Sequence, residues 1–325
     1  MNTQIKNKRI MVTGGAGFIG SPLCEQLLEY NPEKIIIADD FSLGKQSNIQ
    51  NISKNEVCKI YVVDVSQYNL MKNLFEMEQT DIVFNLAVIP LPASLKHPKN
   101  TVDKNILMTS TLCELQRENK FESLVHVSSS EAYGTSVYAH KPMNENHSTY
   151  PTTPYAASKL AADHVALSYQ KTFGLDTAIA RPFNAYGPRQ NEKSYAGVIP
   201  LTISRILKGE PPMIQGDGLQ TRDYTYVDDI VKAIPKIYET ASTRGKIVNL
   251  ASGREITIKT LIEKIIAIMG YEGEIKYAPQ RIGDVRRHLG DIAKAKELIG
   301  YHPETDFDTG LKITVDWYKK DGLFQ

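Results

Sequence analysis

Three evenly spaced glycines near the start of the chain constrain the fold more than any other feature of the sequence. Gly14, Gly17 and Gly20 come directly after an apolar run at residues 9–13 and directly before a helical pattern at residues 22–30. Glycine allows a tight turn in which backbone N–H groups approach a ligand closely, and the N-terminus of the following helix attracts negative charge. This arrangement predicts a strand, a phosphate-binding turn and a helix, the first unit of a dinucleotide-binding sheet.

Short apolar runs continue to alternate with helical patterns through the first half of the chain, which indicates βαβ units and a parallel sheet. Predicted strands lie at residues 9–13, 34–38, 59–63, 81–85, 123–128 and 176–181, and predicted helices include residues 22–30, 102–119 and 155–173. Beyond residue 181 glycine and proline interrupt this pattern. We therefore expect an α/β protein, with a Rossmann doubly wound parallel sheet in residues 1–181, return segments near 226–250, and a smaller α/β substrate-binding domain in residues 182–325.

Acidic residues end the second and third predicted strands. Asp39 and Asp40 follow residues 34–38, and a carboxylate there accepts hydrogen bonds from a ribose diol and repels a 2′-phosphate. Together with the glycine turn, this pair predicts NAD rather than NADP. Asp64 is either an acceptor for the adenine amino group or a cap for the next helix.

A tyrosine and a lysine stand four residues apart in a predicted helix, so that their side chains project from one face. An ammonium group lowers the pKa of a nearby phenol, and we expect Lys159 to make Tyr155 a usable base near neutral pH. Ser129 and its serine neighbours end the preceding strand at the edge where open α/β sheets bind ligands. A hydroxyl there can hydrogen-bond a substrate alcohol. A dinucleotide and a proton acceptor together predict hydride chemistry on an alcohol.

With these motifs the sequence resembles the extended short-chain dehydrogenase/reductase family, specifically its NAD-dependent nucleotide-sugar epimerases and dehydratases. The resemblance covers nearly the whole chain and is carried by residues 14–20, 39–44, 128–134, 155–159, 181–190, 216–224 and 281–285. It implies that Tyr155 takes the proton from the sugar C4 hydroxyl and that Lys159 holds the nicotinamide ribose. It also implies that Ser129 hydrogen-bonds the C4 oxygen.

The glycine turn, the strand ends and the resemblance together give three groups of candidate site residues. The catalytic candidates are Tyr155, Lys159, Ser129, Ser130 and Glu131. The NAD-binding candidates are Gly14, Gly17, Phe18, Ile19, Asp39, Asp40, Ser42, Gly44, Asp64, Val65, Leu86, Ala87, Tyr155 and Lys159. The candidates for binding a nucleoside diphosphate sugar, with UDP the favoured nucleotide, are Asn184, Val198, Arg222 and Arg281.

Two residues decide between the reactions that the family carries out after oxidation at C4. Family 4,6-dehydratases place an acid and a C5 base at the positions of Ser130 and Glu131. Ser130 departs from the Asp of the glucose-type dehydratases, although some related dehydratases and UDP-glucuronate decarboxylases carry Ser-Glu. Glu131 is then either a C5 base or a strand-end carboxylate held by backbone amides. Because residues 195–200 and 281–286 are more similar to UDP-hexose 4-epimerases, we expect a 4-epimerase first, a 4,6-dehydratase second and a decarboxylase third.

The remaining composition excludes several partners. The net charge of +1 gives no bulk attraction to nucleic acid or membrane, and no apolar run approaches the length of a membrane span. Cys24, Cys58 and Cys113 lack metal-type spacing and are expected to be free thiols. We expect a cytoplasmic enzyme without a metal and, by the resemblance, a homodimer through the helices at 102–119 and 155–173. A catalytically silent NAD-binding protein would lack the Tyr155–Lys159 pair.

Overall fold

A seven-stranded parallel sheet forms the centre of the computed structural model, which describes residues 4–135, 141–191, 197–281 and 283–322. The strands are β1 (Arg9–Thr13), β2 (Lys34–Asp39), β3 (Cys58–Val62), β4 (Ile82–Asn85), β5 (Ser123–Val127), β6 (Asp176–Pro182), β7 (Ala185–Tyr186), β8 (Met213–Gln215), β9 (Thr221–Arg222), β10 (Thr225–Tyr226), β11 (Ile247–Leu250), β12 (Ile256–Thr257) and β13 (Lys276–Ala278). The central sheet has the order β11-β6-β5-β4-β1-β2-β3, and all its neighbours are parallel. The predicted doubly wound sheet is confirmed.

The helices cover both faces of this sheet and build a second layer beside it. They are α1 (Gly20–Leu28), α2 (Gln46–Ile49), α3 (Tyr68–Glu78), α4 (Leu91–Ser94), α5 (Pro98–Arg117), α6 (Pro154–Phe173), α7 (Val198–Leu207), α8 (Val227–Glu239), α9 (Ile258–Met269), α10 (Ala293–Ile299) and α11 (Phe307–Trp317). In the described part of the chain, no helix is both long and apolar enough to cross a membrane.

Continuous apolar runs explain why these strands are central, since a parallel strand is buried on both faces. Ile35, Ile36 and Ile37 of β2 are fully buried, with alternate side chains pointing to opposite faces. On one face they pack with α1 and α8, and on the other face with α3, α5 and α6. The order of strands reverses between β1 and β4, and open α/β sheets bind ligands at such a reversal, outside the carboxyl ends of the strands.

A separate hydrophobic cluster holds the second layer together. It joins α7, α9 and α11 with the short strands β7, β8 and β10, through buried residues such as Ile203, Leu261 and Leu311. α8 and β11, by contrast, lie in sequence after β10 but pack with the central sheet. The division into domains at residues 181 and 182 stays a prediction.

Local sequence also sets the start of α6, which carries the candidate catalytic pair. Thr153 caps this helix by accepting a hydrogen bond from the backbone N–H of Ala156 at 3.1 Å. Pro154 occupies the first helical position, where its missing N–H is not needed. Tyr155 is therefore held in the first turn of α6. The three cysteines are free thiols, as predicted.

Candidate active site

The glycine turn is folded too tightly to accept side chains at two of its positions. Gly14 has φ of +66°, and a Cβ there would lie 2.8 Å from the backbone N of Ala87. A Cβ at Gly20 would lie 2.1 Å from the carbonyl oxygen of Gly14. A Cβ at Gly17 would have one close neighbour, the same carbonyl oxygen at 3.0 Å. The turn therefore brings bare backbone to the carboxyl end of β1, as a diphosphate site requires.

The acidic pair after β2 divides into one fixed and one exposed carboxylate. The buried carboxylate of Asp39 accepts hydrogen bonds from the backbone N–H groups of Ala16 and Phe41, both at 2.9 Å. Burial raises its pKa above the usual value, while these two N–H groups oppose the shift. Asp40 is exposed and accepts from the N–H of Ser42 at 2.9 Å. The carboxylate that the glycine turn positions is thus that of Asp39.

Asp64 closes the turn that leads into α3. Its carboxylate accepts from the backbone N–H and the hydroxyl of Ser66, at 2.9 and 2.6 Å, and pairs with the ammonium group of Lys104. Burial works to raise the pKa of Asp64, but the hydrogen bonds from Lys104 and Ser66 hold it below its usual value. Asp64 does not cap α3, because the N-cap position of that helix is Gln67 and no side chain caps it. The adenine contact of Asp64 stays a prediction.

The half-buried phenol of Tyr155 lies beside Ser129. Burial raises the pKa of Tyr155 to about 12, although a hydrogen bond with the Ser129 side chain opposes the shift. In the protein alone, desolvation of the phenolate dominates this pKa. The ammonium group of Lys159 donates to the carbonyl oxygen of Val127 at 2.8 Å. That Lys159 makes Tyr155 a base near neutral pH stays a prediction.

Lys159 belongs to a buried polar network that was not predicted from the sequence. Burial lowers the pKa of Lys159 to about 8, although the carboxylate of Asp163 opposes the shift. Asp163 in turn accepts hydrogen bonds at 2.6 Å from both Arg181 and the hydroxyl of Ser128. The ring of His126 lies 3.5 Å from Lys159 Nζ and 3.5 Å from Asp163. The available signal was the spacing of Asp163, four residues after Lys159 on the same helix face.

Ser129, Ser130 and Glu131 lie at the start of the 3₁₀ turn Ser130–Tyr133, directly after β5. The Ser129 hydroxyl accepts from the backbone N–H of Glu131 at 3.2 Å, and Ser130 is buried. The carboxylate of Glu131 is 17% exposed and lies 3.9 Å from Nδ1 of His288. Among the residues that the structure describes, no backbone amide donates to this carboxylate. The structure therefore does not support a role for Glu131 as a carboxylate held by backbone amides.

The candidate diphosphate arginines share one carboxylate. Nη2 of Arg222 lies 2.5 Å from Oδ1 of Asp284, and its Nη1 donates to the carbonyl oxygen of Val285 at 2.6 Å. Arg281 is more exposed, with Nη2 at 3.4 Å from the same Asp284 oxygen. Asn184 donates to a backbone carbonyl at 3.2 Å. Residues 195, 196 and 282 of the epimerase-like motifs lie outside the described residues.

One cavity of about 870 Å³ unites these groups. Every residue assigned above to catalysis, to NAD or to the nucleotide sugar lines it. Polar residues outside the predicted site also line it, among them Lys104, Arg189, Gln190, Gln215, Gln220 and Asp284. No group of residues able to hold a metal ion occurs within the described ranges.

The parallel sheet, the glycine turn and the Ser129–Tyr155–Lys159 group define the class of the molecule, which is that of the extended short-chain dehydrogenase/reductase enzymes. Within that class the chain belongs to the family described as GDP-mannose 4,6 dehydratase, whose model matches residues 11–314. The match takes in the glycine turn, the catalytic candidates and both candidate diphosphate arginines.

The relatives of the chain carry out more than one reaction. A putative UDP-glucose 4-epimerase of Methanocaldococcus jannaschii is 35% identical over 96% of this chain and 99% of its own length. The solved UDP-N-acetylglucosamine 4-epimerase of Methanobrevibacter ruminantium, in complex with UDP-N-acetylmuramic acid, is 35% identical with a TM-score of 0.88, covering 97% and 99% of the two chains. A dTDP-glucose 4,6-dehydratase of Streptomyces venezuelae with NAD bound is 29% identical with a TM-score of 0.91, covering 96% and 97%.

Proposed function

We propose that this protein is an NAD-dependent 4-epimerase of UDP-hexoses of the glucose or N-acetylglucosamine type. The observation that carries the proposal is the make-up of the catalytic end of the cavity. Ser129, Tyr155 and Lys159 meet there, while the position that carries an acid in glucose-type dehydratases holds the buried Ser130. A serine hydroxyl is a much weaker acid than a carboxylic acid for assisting loss of the C6 hydroxyl, whereas C4 epimerisation needs no such acid. The similarity to two proteins named 4-epimerases supports the same reaction.

The residues at the other end of the cavity fit NAD. The bare backbone of Gly14 and Gly17 suits the diphosphate, and the fixed carboxylate of Asp39 suits a ribose diol. Bound there, NAD supplies a reversible hydride acceptor and, in its oxidised form, a positive charge. A positive charge held near Tyr155 would oppose the burial that raises the pKa of this phenol, and its phenolate would then form more easily.

Each catalytic side chain then has a defined task. Tyr155 accepts the proton of the C4 hydroxyl, and Ser129 hydrogen-bonds the same oxygen as it becomes a carbonyl. Lys159 stays charged below its pKa of about 8 and favours the phenolate of Tyr155. Arg222 and Arg281 bind the diphosphate, which stays fixed while the 4-keto sugar turns its other face.

A 4,6-dehydratase is the second candidate function, and one observation favours it. The Glu131 carboxylate lines the cavity and accepts no backbone hydrogen bond from the described residues. Such a carboxylate is available to remove the C5 proton, which the C4 ketone makes acidic.

Proton NMR separates the two reactions. The purified protein is incubated with NAD and, in turn, UDP-glucose, UDP-N-acetylglucosamine and UDP-glucuronate. We expect an axial–equatorial change in the coupling constants at C4. A new C6 methyl signal would instead establish the dehydratase, and loss of the carboxyl group from UDP-glucuronate would establish a decarboxylase.

We further expect a homodimer through α5 and α6, which stays a prediction. Light scattering coupled to size-exclusion chromatography measures the mass directly. A mass near twice that of the 36.4 kDa chain would support the dimer, and a mass of one chain would contradict it.

A further inference from the structure

One short segment of the chain is bonded to both layers of the molecule. This bridge segment, residues 187–191, follows β7. The guanidinium group of Arg189 donates to the hydroxyl oxygen of Ser21 at 3.2 Å and to the carboxylate of Glu25 at 2.8 Å. Both partners lie on α1, which packs on the central sheet. These two bonds, which we call the interlayer contact, join the bridge segment to the central layer.

The other end of the bridge segment is bonded to the second layer. The phenol of Tyr318, a member of the hydrophobic cluster of that layer, donates to the carbonyl oxygen of Gln190. The segment also lies close against the start of α8, since a Cβ at Gly187 would lie 2.6 Å from Cγ1 of Val227. The segment therefore spans the boundary between the two layers.

The backbone of Arg189 adopts a conformation that a residue with a Cβ rarely takes. Its φ is +68°, in the left-handed region that glycine and asparagine enter most easily. Where the surrounding structure holds a residue in such a conformation, the side chain commonly has a task. The contact of this guanidinium group with α1 is the task that the geometry shows.

The interlayer contact lies beside the glycine turn. Ser21 directly follows Gly20, the last glycine of that turn, and the side chains of Arg189 and Gln190 line the same cavity as the turn. Asn184, a candidate for binding the nucleotide sugar, lies three residues before the bridge segment. One short stretch of chain thus runs from the nucleotide-sugar candidates to the helix that begins at the NAD site.

We propose that Arg189 holds the bridge segment against α1, so that NAD leaves the cavity slowly, and that a nucleotide bound by the second layer slows this release further. Arg189 is then a positioning residue, because it acts on the cofactor through the segment and the first turn of α1. The effect of Arg189 on NAD release does not depend on the reaction proposed above. The effect of the nucleotide rests on that proposed function.

Two substitutions break the interlayer contact from opposite sides. Arg189→Asn removes the guanidinium group and places a residue that tolerates the left-handed backbone. Glu25→Gln removes the carboxylate at a position outside the lining of the cavity. The two side chains are 20% and 32% exposed, and an ion pair of this exposure contributes little to folding, so both variants should fold.

The release of radiolabelled NAD is measured after dilution into excess unlabelled cofactor. We expect release about fivefold faster in Arg189→Asn and in Glu25→Gln, and no faster in the double variant than in either one, since both remove the same contact. Glu210→Gln is the matched control, because Glu210 pairs with Arg205 at 3.3 Å within the second layer, and its release rate should equal that of the wild type. Unchanged release in both variants would overturn the proposal. Faster release in Arg189→Asn alone would also overturn it, since Arg189 would then contact the cofactor directly.

UDP, which cannot react, tests the link to the second layer. We expect saturating UDP to slow NAD release about fivefold in the wild type and to have little effect in either variant. If UDP binds but leaves the wild-type rate unchanged, the link is wrong. If calorimetry detects no UDP binding, the proposed UDP-hexose function fails, and the release rates without nucleotide alone decide the role of Arg189.

Discussion

The two ends of the cavity are built in different ways. At the glycine-turn end, the contacts that shape the site are made by backbone groups, such as the N–H groups of Ala16 and Phe41 that donate to Asp39. At the sugar end, side chains bond to groups on distant segments, such as Arg222 with the carboxylate of Asp284 and His288 with the backbone carbonyl of Gly134. The glycine-turn end can be predicted from the sequence because its glycines form one short motif. The contacts of the sugar end cannot, because each joins segments that are far apart in the chain.

The largest effect is expected from Tyr155→Phe, which removes the proton acceptor on which the sugar end depends. Turnover should fall by about a thousandfold or more, because general base catalysis contributes roughly 10²–10⁴-fold. NAD affinity, measured by calorimetry, should stay within about threefold. Tyr169→Phe is the matched control, since Tyr169 lies on the same helix but donates to Glu114 at 3.1 Å. Substantial activity in Tyr155→Phe would refute the assignment.

Gly14→Ala tests the glycine-turn end. The added Cβ meets the backbone N of Ala87 at 2.8 Å, and neither backbone can move without opening the turn. We expect NAD binding to weaken by about a hundredfold, measured by fluorescence titration. Gly209→Ala is the control, because Gly209 has a similar φ of +73° but nothing within 4 Å of the added Cβ. Equal losses of affinity in both variants would show that backbone strain, rather than the crowded turn, is responsible.

The pH dependence of turnover reports how far the protein alone raises the pKa of Tyr155. Since the phenol is the base only when ionised, and burial raises its pKa to about 12, kcat/KM should increase as pH rises. The expected slope on the acid side is about tenfold per pH unit. The cofactor-free protein provides the comparison. A pH titration of the ultraviolet absorbance should show one tyrosine ionisation step in the cofactor-free wild type that is absent from cofactor-free Tyr155→Phe. This step should lie above pH 10.

Substitution of Arg222 and substitution of Arg281 should have different effects, although both side chains pair with Asp284. Arg222→Ala leaves the nearly buried carboxylate of Asp284 with one weaker partner, and we expect unfolding free energy to fall by about 3 kcal/mol. Arg281→Ala should raise KM for the UDP-sugar by about tenfold with little change in stability, because its side chain is 40% exposed. Denaturant unfolding and steady-state kinetics separate the two effects. If Arg281→Ala lost stability and Arg222→Ala did not, Arg281 rather than Arg222 would be the main partner of the Asp284 carboxylate.

The smallest effect is expected within the acidic pair after β2. Asp39→Asn keeps the shape of the residue but weakens the fixed acceptor, and KM for NAD should rise by about tenfold. Asp40→Asn should change it by less than about twofold, since Asp40 is exposed. If Asp40→Asn had the larger effect, the ribose would lie on the rim of the cavity rather than against Asp39.

The difference between the two ends of the cavity also explains which features could be predicted from the sequence. The predicted strand at residues 9–13 coincides with β1, and the predicted start of the β2, β5 and β6 strands is right, because apolar runs and glycines are local signals. The helix α5 begins at Pro98, earlier than predicted, since proline suits the first helical position.

The buried partners could not be predicted in the same way. His288 meets Gly134 across 154 positions, and Asp163 was not recognised as the partner of Arg181. The spacing of Asp163 indicates only that it shares a helix face with Lys159, and no spacing indicates that Asp163 meets Arg181 or that His288 meets Gly134. The burial that raises the pKa of Tyr155 in the protein alone could not be predicted for a related reason, since it depends on the whole fold.

The late position of β11 in the chain has a consequence for synthesis of the protein. β6 is complete at Pro182, but its outer neighbour β11 begins only at Ile247, after the segments that form much of the second layer. During that interval the outward N–H and C=O groups of β6, a strand that is buried in the folded protein, stay unpaired, and such an edge readily pairs with other chains. A ribosome that stalls before Ile247 therefore releases a chain prone to aggregation, and rapid closure of this long-range pairing protects the nascent polypeptide.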